Sequence, residues 1–343
     1  MRAQTVLVCE MTTRVAITFD IEFDINGAFT APGVHMPLGR TSLIGNPERR
    51  TGLSVILDIL ERHSLKATFF VEALQVSWFG LEEMSGIVEV LRLRGHEIQL
   101  HLHPVWLLFD NPDWEDFVKR KHPQPESHDT LLTISHGKVI EIIERGKDTF
   151  VAWGLPEPTA IRTGSLFVDR HLYPMFRECG LEISSSVGLG LYQPKDPNLR
   201  LYQCAKLIDG VLEIPVSSYI GADRRLSFRT RLATLIGMGI AEQDAWLRLA
   251  TKEELPLLVV LSHVSEFHSG VGSEYRRNKL TERKFERLCS RLNLSDELQA
   301  VTITELHQVS EIIANGDDIP MTLPRWVSVL RFLESGMQKV IYP

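Results

Sequence analysis

Four cysteines in 343 residues, with no pair at metal-binding spacing, exclude a thiolate metal site and give no disulfide framework. Cys9, Cys179, Cys204 and Cys289 are expected to be mostly buried thiols. Long apolar runs are missing as well. The longest aliphatic stretch, 257–261, is five residues, against the roughly 20 that a membrane-spanning helix requires. The apolar stretch from Val6 is broken by Glu10 and Arg14, too early for the core of a signal peptide, so a cytoplasmic location is the expectation. Positive charge is in deficit: 37 Lys plus Arg stand against 44 Asp plus Glu, a formal charge of −7. Phosphate backbones therefore find no broad electrostatic footing, and nucleic acid is not expected as a partner. No glycine-rich phosphate loop is present either.

What remains is an ordinary globular composition, 44% hydrophobic and 24% charged. Short apolar runs at 15–20, 67–71, 97–102, 159–163, 182–185, 211–216, 257–261 and 300–303 alternate with longer amphipathic stretches. The helices expected between them lie near 52–63, 81–94, 137–153, 169–179, 228–250, 281–293 and 304–314, the last capped by Thr304. Alternation of this kind predicts parallel strands joined by crossover helices. Seven or eight such units suffice to close a barrel. Two stretches, 104–135 and 186–209, break the rhythm as long loop insertions. The expected division is a barrel over 12–314 and a C-terminal extension over 315–343, a helix docked on the barrel, with Trp326, Val327, Leu330 and Phe332 at roughly helical spacing.

Two clusters carry chemistry. The first strand ends in Thr18-Phe19-Asp20-Ile21-Glu22, and residues two apart on a strand share a face, so Asp20 and Glu22 can enter one site. The third strand ends in Gly95-His96-Glu97-Ile98-Gln99-Leu100-His101-Leu102-His103-Pro104, and the same parity directs His101 and His103 one way. A mixed nitrogen and oxygen donor set suits zinc, and an open fourth position admits water. The serines at 184–186 have no His and Asp at triad-like positions, which disfavours a serine hydrolase.

These segments, with Lys66-Ala67-Thr68-Phe69-Phe70-Val71, Ile161-Arg162-Thr163-Gly164, Glu213-Ile214-Pro215-Val216, Leu261-Ser262-His263-Val264 and Val301-Thr302-Ile303-Thr304-Glu305-Leu306, resemble in order the motifs of the polysaccharide deacetylases, carbohydrate esterase family four. The resemblance implies an α/β fold, a deformed (β/α) barrel of seven or eight parallel strands. It also implies hydrolysis of an N-acetyl or related acyl amide on an amino sugar or carbohydrate precursor, by attack of a metal-bound water. Carried over, Asp20 is the general base, Arg162 its partner and His263 the acid that protonates the leaving amine. Glu22, His101 and His103 hold one divalent metal, Zn2+ in the first place, with Co2+, Mn2+ or Ni2+ as alternatives. Independently of the resemblance, Trp106 in the 104–135 insertion offers a ring to stack on a sugar face and Glu266 lies just after His263, so both are expected at the substrate.

Two departures mark a divergent branch. The family shows adjacent aspartates where this chain has Asp20-Ile21-Glu22, which leaves open which acid is base and which is ligand. Its histidine pair is separated by three residues, against one here. Two other readings stay open: an allantoinase-like hydrolase of a small cyclic amide, and a catalytically inactive glycan-binding barrel. An amidohydrolase barrel, with its His-x-His pair on the first strand, is disfavoured because here the acids come first.

Overall fold

A computed structural model describes residues 12–45, 51–121, 129–270, 275–307, 309 and 318–341. The strands are β1 (Thr13–Ile21), β2 (Thr68–Glu72), β3 (Glu97–Leu102), β4 (Ala160–Thr163), β5 (Ile183–Ser184), β6 (Lys206–Ile208), β7 (Val211–Glu213), β8 (Ser218–Ala222), β9 (Phe228–Leu232), β10 (Leu257–His263), β11 (His268–Ser269), β12 (Arg276–Arg277) and β13 (Leu298–Val301). The helices are α1 (Thr41–Ile44), α2 (Leu53–Arg62), α3 (Val76–Phe79), α4 (Glu82–Leu93), α5 (Trp114–Lys121), α6 (His136–Ala152), α7 (Tyr173–Glu178), α8 (Ile240–Lys252), α9 (Lys279–Leu294) and α10 (Arg325–Ile341).

The main sheet runs β10-β1-β2-β3-β4-β5-β7-β6, with β13 also paired to β1. All its pairings are parallel except that of β6 with β7. Eight strands thus run parallel to a neighbour, as the deformed barrel requires. Loop backbone completes the wall beside β10. Ser217 N–H donates to Val259 O at 3.0 Å, Val259 N–H to Ser217 Oγ at 2.8 Å and Leu261 N–H to Ala233 O at 3.0 Å.

Strand parity divides the core in two. Val15, Ile17, Phe19 and Ile21 of β1 pack with Phe69, Val71, Leu100 and Leu102 under the helices. Ala16, Phe70, Ala160, Val259 and Leu261 fill the barrel interior. Thr18 and Asp20 share the inward face with Ala16, which is how polar side chains enter an otherwise apolar strand. At the other end Glu97 plugs the barrel by accepting from Ile303 N at 2.8 Å and Thr304 N at 3.1 Å.

Three helix expectations need correction. Residues 228–250 are not one helix: β9 pairs antiparallel with β8, and the helix starts only at Ile240. Glu242 marks that start by accepting from Gly239 N–H at 3.3 Å. The 169–179 stretch splits into a 3-10 turn, Arg170–Leu172, and α7. At 304–314 a 3-10 turn, Thr304–Leu306, follows β13; Thr304 begins it and does not cap it, and 310–314 lie outside the described residues. Cys179 and Cys289 are buried, Cys204 is half-buried, and Cys9 lies outside the described residues.

Candidate metal centre and its acid–base neighbours

The sheet register brings the candidates together. Asp20 pairs with His263 across β1 and β10, and His101 pairs with Arg162 across β3 and β4. All lie at C-terminal strand ends, the face where barrel active sites gather.

Three side chains converge. Glu22 Oε2 lies 3.6 Å from His101 Nε2 and 3.0 Å from His103 Nε2, and ligand atoms of all three fall within 4.8 Å of one another. The rings stand nearly perpendicular, at 89°, with centroids 4.7 Å apart. Their outer nitrogens are already engaged. His101 Nδ1 meets Arg162 O at 2.8 Å, and because a carbonyl only accepts, that nitrogen carries the proton. His103 Nδ1 is hydrogen-bonded to the Asp129 carboxylate. Both Nε2 atoms are thereby turned inward toward Glu22, with the backing that metal-ligating imidazoles require. Two imidazole nitrogens and one carboxylate oxygen fit a divalent cation of the zinc class.

His103 follows the end of β3, and two devices fix it. Its N–H donates to Glu72, whose other oxygen accepts from Leu74 N–H at 2.6 Å. Its ring packs on Gly164, where a Cβ would come within 2.6 Å of Nδ1. Burial, with Asp129 and Glu22 nearby, holds Glu72 well above the usual carboxylate range although the His103 charge opposes this.

Asp20 is held from the opposite side. Fully buried Arg162 donates from Nη1 to Asp20 Oδ1 at 2.8 Å and to Thr18 Oγ1 at 3.0 Å. It also donates from Nε to Ser185 O at 3.0 Å and from Nη2 to Ser185 Oγ at 2.9 Å, with its guanidinium 4.0 Å above the Phe70 ring. Asp20 Oδ2 remains directed at the centre, 3.9 Å from His101 Nε2 and 3.7 Å from His263 Nε2. Burial pushes the Asp20 carboxyl up, but the Arg162, His101 and His263 charges outweigh it and hold the group below its usual range. Burial likewise opposes ionisation of Glu22, and its histidine neighbours hold it well below that range.

Burial pushes His263 down, but Glu266, Asp20 and Glu22 raise it to about 9. Its Nε2 faces the acids, and its Nδ1 lies 3.4 Å from Glu266 Oε1. Glu266 Oε2 accepts from Ser262 Oγ at 2.7 Å. Glu266, expected at the substrate, therefore stands behind His263 as its orienting partner.

A cavity of about 470 Å³ opens onto the centre, lined among others by Glu22, Asp24, His103, Asp129, His268 and Tyr275. Trp106 borders it but is only 1% exposed, with Phe79 and Phe109 against its ring. It serves as wall, since no ring face is left for a sugar to stack on. Trp114 is buried in the same aromatic group, against Phe29, Trp78 and Phe109. The sequence reading missed Asp129, Glu72 and Ser185. Glu72 directly follows Phe69-Phe70-Val71 and the inward parity of β2 points to it; Asp129, in a loop, has no such signal.

No protein-family model matches the chain, and no curated protein does. Among solved structures it is similar to a "putative polysaccharide deacetylase from Mycobacterium smegmatis", at 15% identity and a TM-score of 0.56, over 94% of this chain and 98% of that one. It is also similar to the 4-alpha-glucanotransferase from Thermococcus litoralis, at 12% identity and a TM-score of 0.51, over 96% of this chain and 46% of that one. One backbone plan thus accompanies two different chemistries, so the side chains must decide between them. Motif order and backbone together give this chain the fold of the polysaccharide deacetylases.

Proposed function

We propose that the chain is a divalent-metal-dependent hydrolase that removes an N-acetyl or related acyl group from an amino sugar or carbohydrate precursor. The observation that carries this is the convergence of two backed imidazole Nε2 atoms on Glu22, beside an acid pinned by a buried arginine. A divalent cation held by Glu22, His101 and His103, zinc in the first place, supplies Lewis-acid polarisation of the acyl oxygen and acidification of water.

The chain's own groups do the rest. Arg162 holds Asp20 Oδ1, which leaves Oδ2 to receive the proton of the attacking water. His263 gives the Nε2 proton to the leaving amine, and Glu266 holds its Nδ1 side. Acetate and a free amine leave. The barrel, 12–314, carries the site, and 315–343 forms an extension. No helix among the described residues is long and apolar enough to cross a membrane, and we place the enzyme in the cytoplasm, acting on a precursor.

The test is metal content measured together with acetate release from N-acetylated amino sugars. About one bound divalent ion, chelator-sensitive turnover and restoration by zinc are expected. A fully metal-loaded protein that hydrolyses no N-acetyl sugar overturns the reading.

A further inference from the structure

The hairpin β8–β9 and helix α10 form one surface remote in composition from the metal centre. Ser328 Oγ accepts from Ala222 N–H at 3.2 Å, Arg331 Nη2 donates to Ala222 O at 2.6 Å, and Arg325 lies 4.8 Å above the Phe228 ring. Among the described side chains of α10, Val327, Ser328 and Arg331 are the buried ones. The opposite face is apolar and open. Trp326, Val329, Leu330 and Leu333 stand at i, i+3, i+4 and i+7 and are 56%, 41%, 39% and 59% exposed. Leu226 at the hairpin turn and Phe228 beside it add 43% and 44% exposed side chains. A contiguous stripe of this kind marks an interaction surface, unlike apolar residues scattered singly.

Its charge identifies the occupant. The segments 223–231 and 325–334 carry six arginines, Arg224, Arg225, Arg229, Arg231, Arg325 and Arg331, against two acids, Asp223 and Glu334, in a chain of formal charge −7. Between hairpin and helix lies a second cavity, about 740 Å³, lined by Arg224, Arg231 and Arg331 together with Asp223. It shares no lining residue with the cavity at the metal centre. Arg331 is 4% exposed, and its Nη1 has no hydrogen-bond partner, only the Glu242 carboxylate at 3.4 Å. Arg231 spends its donors on the Tyr219 hydroxyl and Gly237 O, both neutral. Asp223 is engaged by Arg229 at 2.7 Å. With Arg331 balanced by Glu242 and Asp223 by Arg229, the cavity keeps the guanidinium charges of Arg224 and Arg231.

We propose that this face docks on an anionic lipid surface. The α10 stripe with Leu226 and Phe228 enters the headgroup boundary, and a lipid phosphate occupies the arginine cavity. Apolar insertion beside a basic rim is the arrangement by which interfacial helices bind anionic bilayers. The inference is independent of the hydrolase reading.

The test is co-sedimentation of the full chain with vesicles of phosphatidylcholine alone and of phosphatidylcholine mixed with phosphatidylglycerol. Binding to the mixed vesicles, weakened by salt and accompanied by a blue shift of tryptophan emission, is expected. Arg224→Ala with Arg225→Ala should lower the vesicle affinity roughly 30-fold, from about five-fold per arginine at the surface. Trp326→Ser with Leu333→Ser, both exposed, should lower it with fold and any hydrolysis retained. Absence of pelleting with either vesicle overturns the proposal. So does a concentration-dependent dimer abolished by Leu330→Glu, which assigns the stripe to a second copy. Saturation by inorganic phosphate without vesicle binding overturns it too, since the cavity then serves a soluble anion.

Discussion

From β1 to β4 the sheet consists of strands of four to nine residues paired over successive positions, and β10 extends that pairing along seven residues of β1. From β5 to β7 the strands shrink to two or three residues, and side chains take over the work of backbone pairing. There Glu213 accepts from Ser186 N at 2.9 Å, Val187 N at 2.8 Å and the Tyr173 hydroxyl at 2.8 Å. Every candidate ligand, base and acid belongs to the long-strand half. Continuous register fixes the relative positions of these groups, and a misplacement of about 1 Å can cost 10²-fold in rate, whereas the short-strand half only has to close the wall.

If the long-strand half is the working half, the largest loss should come from His101→Ala. Metal binding and turnover should vanish together, checked by elemental analysis and acetate release, while circular dichroism stays native. Next, His263→Ala should keep its metal and lose about 10²–10⁴-fold in turnover, the usual range for one removed proton-transfer group. A variant that loses metal as well would move His263 among the ligands.

The short-strand half should reveal itself in stability. Burial lifts Glu213 from 4.5 to about 7, against the hydrogen bonds it accepts. A carboxyl raised in the folded state favours the protonated form, so its contribution to stability is present below about 4.5 and is lost as pH rises through about 7. The change is about 3 kcal/mol. Denaturant titrations of wild type and Glu213→Gln across that window should show the variant without this part of the slope, and an unchanged slope would break the contrast. The smallest effect belongs to Asp129→Asn. Weaker backing of His103 should lower metal affinity by about 10–100-fold without removing the site, as read by competition with a chromophoric chelator.

Much of the long-strand half was legible because its signals are periodic. Parity paired Asp20 with Glu22 and His101 with His103, the resemblance added Arg162, and the structure brings these side chains together at one end of the barrel. The hairpin was misread because Phe228, Leu232, Leu235 and Ile236 fall at i, i+4, i+7 and i+8, imitating a helical stripe, while cross-strand pairing with β8 decides the conformation. Asp129 was invisible for another reason. It lies 26 residues beyond His103, and a loop has no period from which a contact can be inferred. Trp106 shows the limit of residue type: an aromatic in a long loop suggested a sugar platform, and packing against Phe79 and Phe109 used it up.

The placement of β1 has a consequence in time. It pairs with β2 close by in the chain, but also with β10 and β13, and Thr18 alone reaches across 242 residues to Val260. Contacts this distant make for slow folding, because loop-closure entropy is spent before they form. During synthesis β1 must wait, with the apolar face of Val15, Ile17, Phe19 and Ile21 and one edge open, until residues 257–301 have left the ribosome. A chain interrupted before β10 would present that edge to its neighbours and aggregate, so the strand that bears Asp20 is also the one most dependent on the last part of the barrel to be made.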